Sequence, residues 1–192
     1  MSIDSKKIIT VSNLLTVLRI VLAPFISFYI IRNNWQLALI LFFIAALTDM
    51  LDGFAARLFK QRTSLGTLLD PVADKILLLT TFASLIVANM SQLVIPFWFL
   101  IFLLVRELII VIGALLVAFV SHDLKINPTI WGKLTTFFQI IFIFWYMSCF
   151  FFSWIPIKTF FLFFVFIIIF STFSLMNYIN IGIKILLQKF KS

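Results

Sequence analysis

Residues 49–74 read DMLDGFAARLFKQRTSLGTLLDPVAD and hold four of the chain's seven acidic residues, Asp49, Asp52, Asp70 and Asp74. The stretch is flanked and interrupted by apolar segments, where an unpaired carboxylate is costly. Asp49 and Asp52 are three residues apart, Asp70 and Asp74 four. On a helix both spacings put the two carboxylates on one face. A short basic link, Lys60–Ser64, separates the two pairs, so the helices carrying them are expected to be antiparallel neighbours. Two facing carboxylate pairs suit one or two hard divalent cations, Mg²⁺ or Mn²⁺, held partly through a substrate's phosphates. Gly53 and Gly66 remove side chains beside the acids, which permits close backbone approach or entry of a ligand.

The rest of the chain sets the medium. Its 192 residues are 64% hydrophobic and 11% charged, against about 25% charged in a soluble domain. At roughly 20 apolar residues per crossing, the length admits about six spans. We expect an all-α polytopic membrane protein of six transmembrane helices, one domain over residues 1–192. The helices are predicted near 11–31, 35–59, 65–89, 93–120, 128–152 and 159–188. Pro24 interrupts the first, Trp35 opens the second at an interface, and Pro128 suits the first turn of the fifth. The first apolar run lacks a small-residue cleavage site and reads as a retained helix. No internal repeat or linker is visible.

With six spans, one side receives Lys6, Lys7, Lys60, Arg62, Lys125, Lys184, Lys189 and Lys191, and the other Arg32 and Lys158. The basic side is cytoplasmic by the positive-inside rule. Both termini and all four aspartates then lie toward the cytoplasm, where nucleotide-activated substrates occur. In such a chain the net charge of +8 reads as topology and attraction to anionic lipid headgroups, not as nucleic-acid binding. The single cysteine, Cys149, excludes an intrachain disulfide and a cysteine-built metal site. The single histidine, His122, sits in a polar loop away from the acids.

The pattern D-x2-D-G-x2-A-R-x8-G-x3-D-x3-D is complete here as Asp49, Asp52, Gly53, Ala56, Arg57, Gly66, Asp70 and Asp74. By these eight positions the chain resembles the CDP-alcohol phosphatidyltransferases, from about Asn13 to the last helix. The resemblance implies a six-helix membrane enzyme, often a homodimer, that transfers a phosphatidyl or related group from a CDP-linked donor to an alcohol and releases CMP. It implies that Asp49, Asp52, Asp70 and Asp74 carry the metals and that Asp74 is the base on the acceptor hydroxyl. Gly53, Ala56, Arg57 and Gly66 would shape and contact the CDP moiety. The chemistry is coherent: a divalent ion offsets diphosphate charge, a carboxylate takes a proton, and Arg57 can meet a phosphate in fork geometry.

Cations within or beside the spans point to an anionic acceptor. Arg19 lies on the first helix, three residues after Thr16; Arg106 precedes Glu107 on the fourth; Lys133 follows Gly132 on the fifth. All three are candidates for an acceptor phosphate. The segments NLLTVLR, LDPVADK, VRELII and GKLTTFFQ resemble the phosphatidylglycerophosphate synthase branch, which uses CDP-diacylglycerol and sn-glycerol 3-phosphate. Many of that branch carry a second arginine after the RE pair, where Ile110–Leu116 is uncharged here. CMP-forming cardiolipin synthases, whose acceptor is phosphatidylglycerol, share the background and form the alternative. An ion or proton transporter also uses intramembrane acids, but no inverted repeat or paired broken helices support one.

Overall fold

The structure is a computed structural model that describes residues 11–59, 64–88, 93–121 and 129–191, with side chains described for 14–49, 72–88, 93–113 and 129–183. Among the described residues there are six helices and no strand: α1 (Val11–Ile31), α2 (Trp35–Phe59), α3 (Ser64–Ala88), α4 (Phe97–Ser121), α5 (Ile130–Phe151) and α6 (Ile157–Lys191). Stretches long and apolar enough to cross a membrane lie in α1 (Leu14–Ile31), α5 (Ile130–Phe151) and α6 (Ile157–Ile183). A shorter apolar stretch, Trp35–Asp49, lies in α2.

The helix ends follow local chemistry. α1 runs through Pro24 and stops at Asn33, which adopts φ 57°. Asn33 N–H donates to the Ile30 carbonyl and Asn34 N–H to that of Tyr29, both at 2.9 Å, a Schellman closure with asparagine in place of the usual glycine. Asn34 then caps α2, its Oδ1 accepting the Leu37 N–H at 3.2 Å. α5 ends in the same way: Ser153 has φ 54°, and the N–H groups of Ser153 and Trp154 donate to the carbonyls of Phe150 and Cys149. α4 begins at Phe97 rather than near residue 93. Pro96 biases its predecessor away from helical dihedrals, and its carbonyl accepts the Phe99 N–H at 3.0 Å. Thr129 caps α5 by accepting the Gly132 N–H at 3.1 Å.

Tertiary contacts divide the chain into two compact units, residues 1–95 with 143–155, and 96–142 with 156–192. In the first, α1 packs on both α2 and α3. The buried positions of α1, Thr16, Arg19, Ala23, Ile26 and Ile30, recur every three or four residues and so form one stripe. Ala38, Phe42 and Ala45 of α2 and Ala73, Leu77, Phe82 and Leu85 of α3 are equally buried. The alanines let the backbones approach closely, the usual means of helix association in lipid. Trp35 stacks on Phe150 at 4.9 Å, and the Tyr146 hydroxyl donates to the Leu93 carbonyl at 2.7 Å. Each is a long-range tie within this unit.

In the second unit α4 packs on α6. Trp98 meets Phe164 and Arg106 meets Ser174, so the two helices run in the same direction. α5 runs the other way along α6 through aromatic rungs: Trp131 on Phe173 at 5.5 Å, Phe138 on Phe170 at 4.8 Å, and Phe142 on Phe160 at 6.0 Å. Several of the chain's 26 phenylalanines are thus spaced to form one face each of α5 and α6.

Candidate active site

The buried stripe of α1 delivers Arg19 to the acids. Its side chain is wholly buried (0% exposed), and Nη1 donates to Asp49 Oδ1 at 2.6 Å and also to Asp74 Oδ1. A buried guanidinium costs several kcal/mol of desolvation unless charged partners meet it; here they come from residues 30 and 55 positions away. The two carboxylates are open, 46% exposed at Asp49 and 35% at Asp74. The cation is sealed inside the helix packing while the acids reach outward.

The sequence stripe that places them is short-ranged. Asp49 follows the buried Phe42, Ala45 and Thr48 of α2, and Asp74 follows the buried Ala73 of α3. Each acid is therefore half-exposed beside buried positions of its own helix. Asp52, Gly53, Ala56 and Arg57 lie on α2, and Gly66 and Asp70 on α3; their side chains are outside the described residues. Among the described residues no three His, Cys, Asp or Glu side chains cluster.

Asp49 and Asp74 place one oxygen each against a single cationic nitrogen. That convergence of hard oxygen donors from two helices is what a small divalent cation requires, so these residues fit the expected metal. Arg19, a sequence candidate for the acceptor phosphate, is thus engaged with two of the expected metal ligands.

The second unit holds the other two acceptor candidates. Arg106 of α4 is 4% exposed. Its Nη1 pairs with Glu107, and its Nη2 donates to Ser174 Oγ of α6 at 2.8 Å. Lys133 is exposed in the first turn of α5. Its neighbour Gly132 packs so closely that an added Cβ would lie 3.5 Å from Ser174 Oγ and 3.3 Å from Thr129 Oγ1. Tyr178 takes part too, its hydroxyl accepting the Thr129 N–H at 3.2 Å. Arg106 and the turn that carries Lys133 are therefore linked through Ser174. Sequence reasoning missed Ser174 and Tyr178. The available signal was Ser171, Ser174 and Tyr178, spaced three and four apart on an otherwise apolar helix. His122 and Asp123, and the basic residues Lys6, Lys7, Lys60, Arg62 and Lys125, lie outside the described residues, as do the side chains of Lys184, Lys189 and Lys191.

Comparison with known proteins supplies the class. The chain is 35% identical over 128 residues to the CDP-diacylglycerol–glycerol-3-phosphate 3-phosphatidyltransferase of Aquifex aeolicus, covering 67% of this chain and 70% of that one. The protein of the same name from Haemophilus influenzae is 38% identical over 133 residues, 66% of this chain and 69% of that one. The human cardiolipin synthase (CMP-forming) is 46% identical over 82 residues, 42% of this chain and 27% of the human protein. The sequence model of the CDP-alcohol phosphatidyltransferases matches residues 9–187. With Asp49 of α2 and Asp74 of α3 meeting at Arg19, the chain belongs to the CDP-alcohol phosphatidyltransferase family.

Proposed function

We propose that this protein transfers the phosphatidyl group of CDP-diacylglycerol to sn-glycerol 3-phosphate, releasing CMP and forming phosphatidylglycerophosphate. The observation that carries the reading is the meeting of Asp49 and Asp74 at Arg19. Asp49, Asp52, Asp70 and Asp74 would hold Mg²⁺ or Mn²⁺. That ion supplies offset of the diphosphate charge and of the charge that builds on CMP as it leaves.

The chain's own groups do the rest. Asp74 takes the proton from the attacking hydroxyl, a role open to a carboxylate with a third of its surface exposed. Arg19 keeps Asp49 and Asp74 from repelling each other and fixes where they point. Gly53, Ala56, Arg57 and Gly66 shape the CDP site, with Arg57 on a phosphate oxygen. Arg106 and Lys133 hold the phosphate of the acceptor. Arg19, the third cation expected from the sequence to meet an acceptor phosphate, sits on the aspartates.

We also propose that all six helices cross the membrane, with the aspartates and both termini on the cytoplasmic side, in a bacterial cytoplasmic membrane. Residues 1–192 act as one catalytic domain, and the resemblance implies a homodimer among membrane lipids.

A second reading, a CMP-forming cardiolipin synthase using phosphatidylglycerol, is favoured by the 46% identity to the human enzyme over 82 residues. The deciding experiment incubates purified protein with Mg²⁺ or Mn²⁺, CDP-diacylglycerol and either glycerol 3-phosphate or phosphatidylglycerol, then identifies the lipid formed. Phosphatidylglycerophosphate is expected. Cardiolipin would establish the second reading. No CMP release with any acceptor, alongside ion flux in proteoliposomes, would favour a transporter.

A further inference from the structure

Two of the stretches apolar enough to cross a membrane stop at one end of the first unit. Leu14–Ile31 of α1 gives way to Arg32, Asn33 and Asn34, and Ile130–Phe151 of α5 to Phe152, Ser153 and Trp154. The stack of Trp35 on Phe150 at 4.9 Å holds these two chain reversals side by side. The acids belong to the opposite end. Arg32 lies thirteen residues beyond Arg19, which meets them, and Asp49 lies fourteen beyond Trp35. At the rise of an α-helix each separation is roughly 20 Å.

This end carries a cation and no acid. Arg32 is exposed, and its guanidinium lies over the Phe28 ring, 5.4 Å from the centroid. A ring face steadies a cation without neutralising it. The chain's acids are Asp4, Asp49, Asp52, Asp70, Asp74, Glu107 and Asp123, and none falls within residues 20–48, 76–105 or 134–157, which build this end. Its counter-charge therefore comes from outside the protein. The surroundings are amphipathic: Phe152 is 72% exposed, Trp154 61% and Phe28 52%, beside exposed Asn33 and Ser153. Exposed indole and phenyl rings beside a cation suit the boundary between acyl chains and headgroups. Trp35, expected at that boundary from the sequence, is instead buried against Phe150.

We infer that this end of the first unit is a lipid-headgroup site, in the leaflet away from the aspartates, occupied by an anionic phospholipid. Arg32, steadied by Phe28, donates to the oxygens of the headgroup phosphate in fork geometry. Phe152 and Trp154 seat against the upper acyl chains. The occupied site holds α1 and α2, which carry Arg19 and Asp49, at a set height in the bilayer. The inference rests on the membrane crossing of α1 and α5 proposed above, and not on the phosphatidyl-transfer reading. It concerns the side of the membrane with the fewer basic residues, so the lysine-rich side does not supply it.

The test is thermal melting of the full chain in nanodiscs, without CDP-diacylglycerol, for the wild type, Arg32→Gln and Arg32→Lys. One set of discs is phosphatidylcholine alone, and the other carries about one-third phosphatidylglycerol. The wild type should melt higher in the anionic discs. Cations elsewhere act alike in all three proteins, so comparing the increments isolates residue 32. The increment of Arg32→Gln should be smaller by about 2–4 °C, as expected for one cation at an anionic surface. Arg32→Lys should keep most of it. No increment in the wild type, or an equal one in Arg32→Gln, would overturn the proposal.

A second measurement stands even if Arg32→Gln does not fold. A nitroxide is attached to Phe152→Cys in a Cys149→Ala background, and its depth is read from collisions with oxygen and with a water-soluble nickel chelate. The label should lie in the headgroup layer, roughly 6 Å thick on each side of the bilayer. A label in bulk water or deep in the hydrocarbon would overturn the site together with the crossing on which it rests. A label in the headgroup layer with equal melting increments would overturn the lipid contact of Arg32 and leave the crossing intact.

Discussion

Among the described residues, each compact unit buries one arginine in an apolar helix, and the two are satisfied in different ways. Arg19 is met by carboxylates from two other helices, so its charge is neutralised by the acids it holds. Arg106 is met by the acid beside it in the chain and by a neutral serine from α6. The first arrangement organises acids around a cation. The second meets a cation with one acid and a neutral hydroxyl. Sealing is also distributed differently, since the acids on Arg19 are open while Ser174, which meets Arg106, is fully buried.

The largest expected effect tests the acids. Asp74→Asn keeps the shape of the side chain but removes the base, and CMP release should fall by about 10²–10⁴-fold. Turnover within a few-fold of wild type would remove Asp74 from that role. Next comes the guanidinium itself. Arg19→Ala leaves Asp49 and Asp74 facing each other without their cation. Breaking a buried pair costs about 3–5 kcal/mol, and the half-open carboxylates place this case at or below the lower end. Thermal melting in detergent should show the loss. Added Mn²⁺ should recover more stability in Arg19→Ala than in the wild type, because the ion replaces the missing charge. Equal recovery would mean that the metal and Arg19 do not share these carboxylates.

Smaller effects mark what is only structural. Tyr146→Phe leaves the Leu93 carbonyl without the hydroxyl that meets it at 2.7 Å. It should cost about 1–3 kcal/mol of stability and leave acceptor and donor KM values unchanged. Gly132→Ala should be the mildest. The new methyl stands 3.3 Å from Thr129 Oγ1, while alanine favours the helix by about 1 kcal/mol over glycine. Melting should therefore move little, and the acceptor KM should rise a few-fold as Ser174 shifts.

Much of this was legible in the sequence because the signals are local. The four aspartates announce themselves by spacing, and the chain order of six helices follows from apolar runs broken at Asn33–Asn34, Lys60–Ser64, Asn89–Gln92, Ser121–Asn127 and Trp154–Lys158. The boundary missed by most, the start of α4, was misread because residues 93–95 are apolar; Pro96 decides it, and apolarity alone does not report backbone dihedrals. Arg19 was legible as a residue on the face of Thr16. Its partners were not, since they depend on how α1 packs against α2 and α3. Ser174 was hardest to see. A serine in a Phe-rich helix carries no distinguishing pattern until a second helix brings Arg106 to it.

The most direct test of the carboxylate site is Mn²⁺ binding, followed by the electron paramagnetic resonance signal of the free ion. Purified wild-type protein should be titrated beside the double variant Asp49→Asn/Asp74→Asn, each with and without CDP-diacylglycerol. Saturable binding by the wild type, strengthened by CDP-diacylglycerol and lost in the double variant, is the expected result. Equal Mn²⁺ binding by both proteins, or none by the wild type under either condition, would contradict it.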